Sequence, residues 1–549
     1  MNLFEKLERQ FTLFLNEKLS FNPNLIKPGF FEINIDESKK DFGDINSNAA
    51  LMLAQQTSQN PRVLAEKICS NFKSDLVEKT EIAGPGFINI FLTKAAFKEL
   101  AQQVLIQDSS FYKSDLEKQK SYNIEFVSAN PTGPLHIGNG RGGVIGDVLG
   151  NILEFLGHKV TKEFYINDTG IQIKNLGLSL KARCLQELGQ PAEIPENGYQ
   201  GEYLVNLAKE CVSDNKDIIK ESDQFFANLA IKKMLEMIKE TLKDFGVNFD
   251  IWFSEESLHK DGSIEEAIKT LSANGYTYEY EGATWFKSTE FGDDKDRVIK
   301  KSDGTYAYLG PDIAYLLSKV SRGANHMIMI LGQDHHSYLT RINAIHQALG
   351  LKTSTDLNVI LYQLVHLKNA GEILKMSKRA GNLVTLNEII ETVGKDVAKF
   401  FFLNRKADAQ LDFDLELALK QTDENPVFYI QYAYVRTNSI LAKTEEVEDF
   451  KNVSENDLNN LNHDETYLIK KIVHLKVLLK NISVNLHTHL LPYYLFDIAK
   501  SFHQYYSKNK VLDASDKQTS RSRIALVKIL NGNFNLCLKL LGLDQPQKM

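Results

Sequence analysis

Cysteine is scarce: Cys69, Cys184, Cys211 and Cys537 are scattered through 549 residues and form no C-x-x-C pair. That excludes a disulfide framework and a zinc knuckle, so no protein-bound zinc is expected and a reducing compartment fits. Long apolar runs are missing as well. The opening stretch MNLFEKLERQFTLFLNEKL interleaves Glu5, Lys6, Glu8 and Arg9 with apolar residues, unlike a signal peptide, and no later run approaches the roughly 18 residues that span a bilayer. A cytoplasmic protein with no membrane partner is expected. An excess of positive charge is also absent: 64 Lys plus Arg against 71 Asp plus Glu leaves −7, which argues against a surface that coats nucleic acid throughout. There is no internal repeat and no low-complexity tract.

What is present is the composition of a folded protein, 43% hydrophobic and 25% charged, in a chain long enough for several domains. Residues 1–110 read as a small α/β unit: an amphipathic helix, a strand FEINI, a helix from about Asn46, and a last strand GFINIFL after the turn AGPG. Residues 120–382 open with the strand YNIEFV, a glycine-rich loop, and a helix carrying Val144, Val148, Ile152 and Phe155 on one face, closed by Gly157. The strand-like runs MIMIL and VILYQLV continue this sheet, with helical, charged segments between residues 170 and 290. After about residue 383 strands are expected to stop: 383–425 reads as a helical connection, and 426–549 as a helical bundle with Leu468, Ile472, Leu475 and Leu479 at helical spacing.

The chemistry concentrates in IEFVSANPTGPLHIGNGRGGVIGD. Its glycines sit between a buried strand and a helix, where backbone can approach a ligand and free helix N–H groups can face an anion. The spacing is not that of a P-loop. His136 in the same turn can hydrogen-bond a phosphate oxygen, and Lys375 and Lys378 of KMSKR, on a distant Gly-flanked loop, can close over the outer phosphates. Alone, His136 is an ordinary turn histidine and KMSKR a solvated charge run; their joint occurrence across one sheet domain points to a nucleoside triphosphate.

These motifs resemble the HIGH and KMSKS signatures of class I aminoacyl-tRNA synthetases, and the chain is most similar to the arginyl-tRNA synthetase family. DFGDINSNAA and AGPGFINIFL resemble that family's N-terminal additional domain, SDGTYAYLGPDIAY its substrate strand and helix, LKMSKRAGN its second motif, and QYAYVR and ALVKIL its helical anticodon-binding domain. The resemblance implies a multidomain α/β protein with a Rossmann-like parallel-sheet catalytic domain and a C-terminal all-α bundle of the DALR type. It also implies activation of L-arginine by ATP with Mg²⁺, and transfer to tRNA(Arg), with no covalent enzyme intermediate. His136, Asn139, Lys375 and Lys378 would stabilise the transition state. ATP would touch Pro134, His136, Gly138, Asn139, Gly140, Lys375, Met376, Ser377 and Lys378. One departure stands out: Asn139 replaces the second histidine of the first motif, and an amide cannot carry positive charge.

An arginine pocket needs carboxylates that meet a planar guanidinium and polar groups for the amino acid's ends. Where the family's pocket would lie, the chain offers Glu125, Ser128, Asn130, Tyr308, Asp312, Gln333 and Asp334, with Tyr308 and Asp312 on one face if a helix begins near Pro311. Outside that context Glu125 is an ordinary strand residue and Asp312 a capping carboxylate. His335 and His336 lack a recognisable third metal ligand. For tRNA, the C-terminal region offers Tyr432, Arg436, Tyr505, Arg521 and Arg523, although about half of the tyrosines there are expected in the bundle core. Residues 466–549 hold 13 Lys plus Arg against 4 Asp plus Glu, a local +9 beside −16 for the rest, which predicts a basic end facing RNA. A monomer is expected. The rival readings are a cysteinyl or glutamyl synthetase, a small nucleotidyltransferase, and a non-catalytic synthetase-like protein.

Overall fold

The computed structural model describes residues 3–20, 22, 30–113, 118–369, 371–373 and 384–549. The amphipathic start is a helix, Leu3–Leu19, that buries Leu3, Phe4, Leu7, Phe11 and Leu15. It packs with an antiparallel sheet ordered Phe31–Ile33, Ile45–Ser47, Phe87–Leu92, Val77–Ala83. Two of those strands differ from the sequence reading. The helix expected from Asn46 starts at Ala49, because Ile45 and Ser47 alternate into the core and pair with both neighbouring strands.

The central sheet has five parallel strands, ordered Asp356–Tyr362, His326–Gly332, Ser121–Phe126, Lys159–Ile166, Ile251–Ser254. The first strand in sequence lies in the middle. From it the chain winds outward through Lys159–Ile166 and Ile251–Ser254, then returns to build the other side through His326–Gly332. The order therefore reverses between Ser121–Phe126 and His326–Gly332, and a crevice opens beyond their carboxyl ends, where ligands of such sheets bind. Between Lys159–Ile166 and Ile251–Ser254 the chain inserts three helices, Ile171–Glu187, Glu202–Asp214 and Asp223–Asp244. Before His326 it adds a three-stranded antiparallel sheet and the helix Leu309–Ser321.

The crossover helix Ile137–Phe155 lies unusually close to this sheet. A Cβ at Gly146 would overlap the Phe126 ring, and one at Gly150 the Lys162 side chain. Much of the glycine content of this helix is thus a packing requirement.

Strands do not stop at residue 383. Leu411–Asp414 pairs in parallel with Val365–Asn369, since Leu411 and Phe413 alternate inward at 3% and 0% exposure. The connecting region is helical otherwise, through Leu386–Val393 and Lys395–Leu403. The bundle follows, with helices Pro426–Glu445, His463–Asn485, Leu490–Lys508 and Lys517–Leu541. Leu468, Ile472, Leu475 and Leu479 are all buried. Among the described residues one helix, Lys517–Leu541, is long and apolar enough to cross a membrane, and most of it is buried inside the bundle.

Gly146→Ala should lower the thermal midpoint although alanine is the better helix former: overpacking against Phe126 costs about 1–3 kcal/mol, against about 1 kcal/mol of helix propensity gained.

Candidate active site

The loop that leaves Ser121–Phe126 at the crevice turns sharply. Val127 and Ser128 both adopt positive φ, 66° and 36°, a costly geometry that surrounding contacts must hold. The Ser128 hydroxyl donates to Glu125 Oε1 at 3.2 Å and accepts from the Tyr165 N–H at 3.1 Å. Asn130 is exposed beyond it and Pro134 half-buried. His136 then stands at the N-cap of Ile137–Phe155. Asn139 explains itself here: its Oδ1 accepts from the His136 N–H at 3.0 Å, closing the first turn and leaving its amide N–H groups as donors. A Cβ at Gly138 would lie 3.0 Å from the His136 ring, so glycine there gives the imidazole room. Gly140 faces away from the crevice, where a Cβ would meet Leu386 at 2.6 Å and Phe402 at 2.9 Å.

Lys375, Met376, Ser377 and Lys378 lie outside the described residues. The chain that follows them is anchored on the first motif. Ile137 N–H donates to Val384 O at 3.3 Å, Leu386 N–H donates to Leu135 O at 2.8 Å, and His136 pairs with Thr385 across this short bridge. Thr385 and Glu388 cap the next helix reciprocally. The segment Val384–Leu386 is thus stitched to the first motif at the helix N-terminus.

Beside the loop lies a buried ionic cluster. Lys319, 1% exposed, places Nζ 2.9 Å from Glu125 Oε2, 3.1 Å from Glu163 Oε1 and 2.8 Å from Asn123 Oδ1. Arg322 and the Tyr315 hydroxyl also bind Glu163. Burial alone would push Glu163 up, but Lys319, Arg322 and Tyr315 hold its carboxyl down at about 2. Glu125 is less well served: Oε2 faces Lys319 at an angle that makes no hydrogen bond, so a buried carboxylate oxygen retains an acceptor.

Two further carboxylates have, among the described residues, no cation as close: Asp312 feels the charge of Arg341, and Glu255 has His259 Nε2 at 3.7 Å. Asp312, in the first turn of Leu309–Ser321, is pushed up to about 7 by burial and by Glu255 and Glu125, against a hydrogen bond from Tyr338 and the charge of Arg341. Glu255 accepts from the Tyr165 hydroxyl at 2.9 Å and from Thr169 Oγ1 at 3.0 Å. Sequence reading missed Glu255. Its signal is its place directly after Ile251–Ser254, at the carboxyl end of a parallel strand. Lys319 and Arg322 balance Glu125 and Glu163, whereas among the described residues Asp312 and Glu255 are offset only by the more distant Arg341 and His259, an arrangement that a planar cation can complete.

The other expected pocket residues surround this centre less closely. Tyr308 is 90% exposed and precedes the helix, which begins at Leu309 rather than near Pro311. Gln333 and Asp334 form the turn after His326–Gly332; Gln333 is half-buried, and Asp334 is exposed with its Oδ2 3.8 Å from His335 Nε2. Among the described residues no three His, Cys, Asp or Glu side chains converge as a metal site would require.

In the bundle, Arg436 lies between two rings, 4.4 Å from the Tyr432 centroid and 4.9 Å from that of Tyr506, and donates to the Tyr432 hydroxyl. These residues line a groove of about 830 Å³ that also holds Lys443, Lys508 and Lys510. The remaining expectations there are corrected. Tyr505 is 3% exposed and donates to Glu465. Arg521 clasps Asp457 and the carbonyls of Asp449, Lys451 and Asn452, and Arg523 binds Glu465 and the Lys510 carbonyl. All three are consumed by internal packing.

A parallel sheet with a His-x-Gly turn at its switch point, a helix N-terminus facing the crevice and a returning segment, Val384–Leu386, tied to that turn has the layout of the nucleotide-binding core of a class I synthetase. Residues 100–408 match the family described as tRNA synthetases class I (R), catalytic domain; residues 430–549 match the DALR anticodon binding domain, and residues 15–92 the arginyl tRNA synthetase N terminal domain. The arginine–tRNA ligase of Shouchella clausii is 42% identical over 523 residues, covering 93% of this chain and 94% of its own. That of Bacillus subtilis is 40% identical over 518 residues, covering 93% of each. A solved Thermus thermophilus arginyl-tRNA synthetase, 19% identical, superposes with a TM-score of 0.75 over 100% of both chains and shows the same fold. The chain belongs to the arginyl-tRNA synthetase family.

A guanidinium held against Asp312 would favour its ionised form, so that below about pH 7 binding would expel a proton. Arginine affinity should therefore tighten as pH rises from 6 towards 7 and level off above it. Asp312→Asn should weaken binding and flatten that profile, as measured by calorimetric titration. Without ligand the sign reverses: the stability this raised carboxyl contributes at low pH is lost as pH rises through about 7.

Proposed function

We infer that this protein activates L-arginine with ATP to arginyl-adenylate and transfers the arginyl group to tRNA(Arg), as an arginine–tRNA ligase. The observation that carries the specificity is the pair Asp312 and Glu255, two carboxylates that among the described residues have no closely paired lysine or arginine. They face the guanidinium. Glu125, Ser128 and Asn130, on the loop that leads into His136, take the α-ammonium, which brings the substrate carboxylate to the nucleotide. Tyr308, Gln333 and Asp334 close the mouth of the pocket.

The reaction is an in-line attack of the amino-acid carboxylate on the α-phosphate, so the protein's task is positioning and charge stabilisation. His136, the amide of Asn139 and the free N–H groups of the helix start hold phosphate oxygens, with Pro134 and Gly138 shaping the turn around them. Gly140 acts behind them, letting the helix approach Leu386 and Phe402. Lys375 and Lys378, with Met376 and Ser377, close from the other side; the tie between Thr385 and His136 supports that placement. Mg²⁺ accompanying ATP would supply neutralising charge for the phosphates.

Unpaired anticodon bases stack in the groove of Tyr432, Arg436 and Tyr506, where aromatic faces and neighbouring lysines suit bases and phosphates. We read the protein as a cytoplasmic monomer whose units divide near residues 110–120, 382 and 425.

The decisive assay offers the purified protein each of the twenty amino acids with ATP, total tRNA and labelled pyrophosphate. Exchange with arginine, and charging of tRNA(Arg), are expected. Activity with another amino acid and none with arginine would sink the assignment.

A further inference from the structure

The loop Asn130–Pro134 carries proposed contacts to both substrates, Asn130 for arginine and Pro134 for ATP, and leads directly to His136. Beyond Ser128 it is braced from outside, by the three-helix insert. The Tyr203 hydroxyl, at the start of helix Glu202–Asp214, donates to Thr132 O at 2.5 Å. Its ring lies under Gly133, so close that a Cβ there would meet Cζ and the hydroxyl oxygen at 3.2 Å. The loop also folds on itself through Thr132 N–H to Asn130 O at 2.7 Å.

The insert is rigid enough to serve as that brace. Leu204, Leu207, Ala208 and Cys211 share a buried core with Leu176, Leu180 and Cys184 of helix Ile171–Glu187. Its base is fixed at the sheet: Asp168 accepts from Ser254 Oγ and from the Glu256 N–H, and Thr169 donates to Glu255. A continuous packed path thus runs from the guanidinium side of the pocket, through the insert, to the phenol under the nucleotide loop.

We propose that Tyr203 is a positioning residue: it holds the Asn130–Pro134 loop in the one conformation that binds both arginine and ATP. It touches neither substrate. Because the loop serves both, losing the brace lowers the fraction of enzyme in the binding-competent state, and apparent affinity for each ligand falls by that same fraction. At saturation the substrates restore the loop, so turnover survives.

This rests on the activity proposed above, and the test separates the two. Arginine-dependent ATP–pyrophosphate exchange is measured with tRNA(Arg) present for the unaltered protein, Tyr203→Phe and Gly133→Ala. Tyr203→Phe removes one hydrogen bond and keeps the ring. With the other substrate held below saturation, it should raise KM for arginine and for ATP alike, by about three- to ten-fold, with kcat within about two-fold and the thermal midpoint unmoved. Gly133→Ala, which presses a methyl on the ring from the loop side, should raise the same two constants and add little in a Tyr203→Ala background. Unchanged KM values for Tyr203→Phe, or a fall in kcat alone, would overturn the proposal. Loss of thermal stability with both KM values kept would assign Tyr203 to folding only. An unaltered protein inactive with arginine would instead fail the activity reading, and this inference with it.

Discussion

Lys319 is the constraint on which the pocket depends. Its ammonium is buried among Asn123, Glu125 and Glu163, joining the two central strands to the helix that carries Asp312. Buried charges are tolerated only when paired, and removing one partner leaves an uncompensated ion that costs about 3–5 kcal/mol. The arrangement therefore fixes geometry as well as charge. With Arg322 it neutralises Glu163 and steadies Glu125, while Asp312 and Glu255 remain in excess. Burial, with Glu255 and Glu125 adding to it, holds the free Asp312 carboxyl above its ordinary range, so an entering cation is favoured there.

The same logic of local pairing runs through the far end of the chain. The local +9 of residues 466–549 suggests an open cationic face, but much of it is spent on acidic residues elsewhere. Lys470 pairs with Asp44 and Lys476 with Glu5, both at 3.0 Å, and the Tyr467 hydroxyl donates to Ile35 O. These bonds dock the N-terminal unit on the bundle. Lys399 does similar work nearer the crevice: buried at 1% exposure, its Nζ donates to the carbonyls of Gly246 and Gly542, at the ends of two helices, beside Asp147 of the signature helix. The cationic excess left at the surface is thus smaller than the sequence count suggests.

Much of this was legible in the chain before folding. The strand, turn and helix around His136 declare themselves through period and glycine, while Asp312 stands out only through the resemblance of SDGTYAYLGPDIAY to the family's substrate helix. What escaped did so for physical reasons. Ile251–Ser254 is four residues long and half-buried throughout, with no alternation to mark it, so Glu255 could not be placed at a strand end. Leu411–Asp414 is as short and follows two helices. Tyr505, Arg521 and Arg523 have the composition of an RNA contact, and only their partners Glu465 and Asp457 reveal an internal clasp. Asn139 looked like a weakened catalytic residue; in the fold it also closes the helix N-terminus on His136.

The central claim is that unmatched carboxylate charge, rather than shape, selects the substrate. Citrulline, which keeps the outline of arginine without its charge, tests it most directly. Competition in the exchange assay at pH 8 should show citrulline binding weaker than arginine by a factor on the order of a hundred or more, with the gap narrowed in Asp312→Asn. Citrulline binding within a few-fold of arginine would contradict the account.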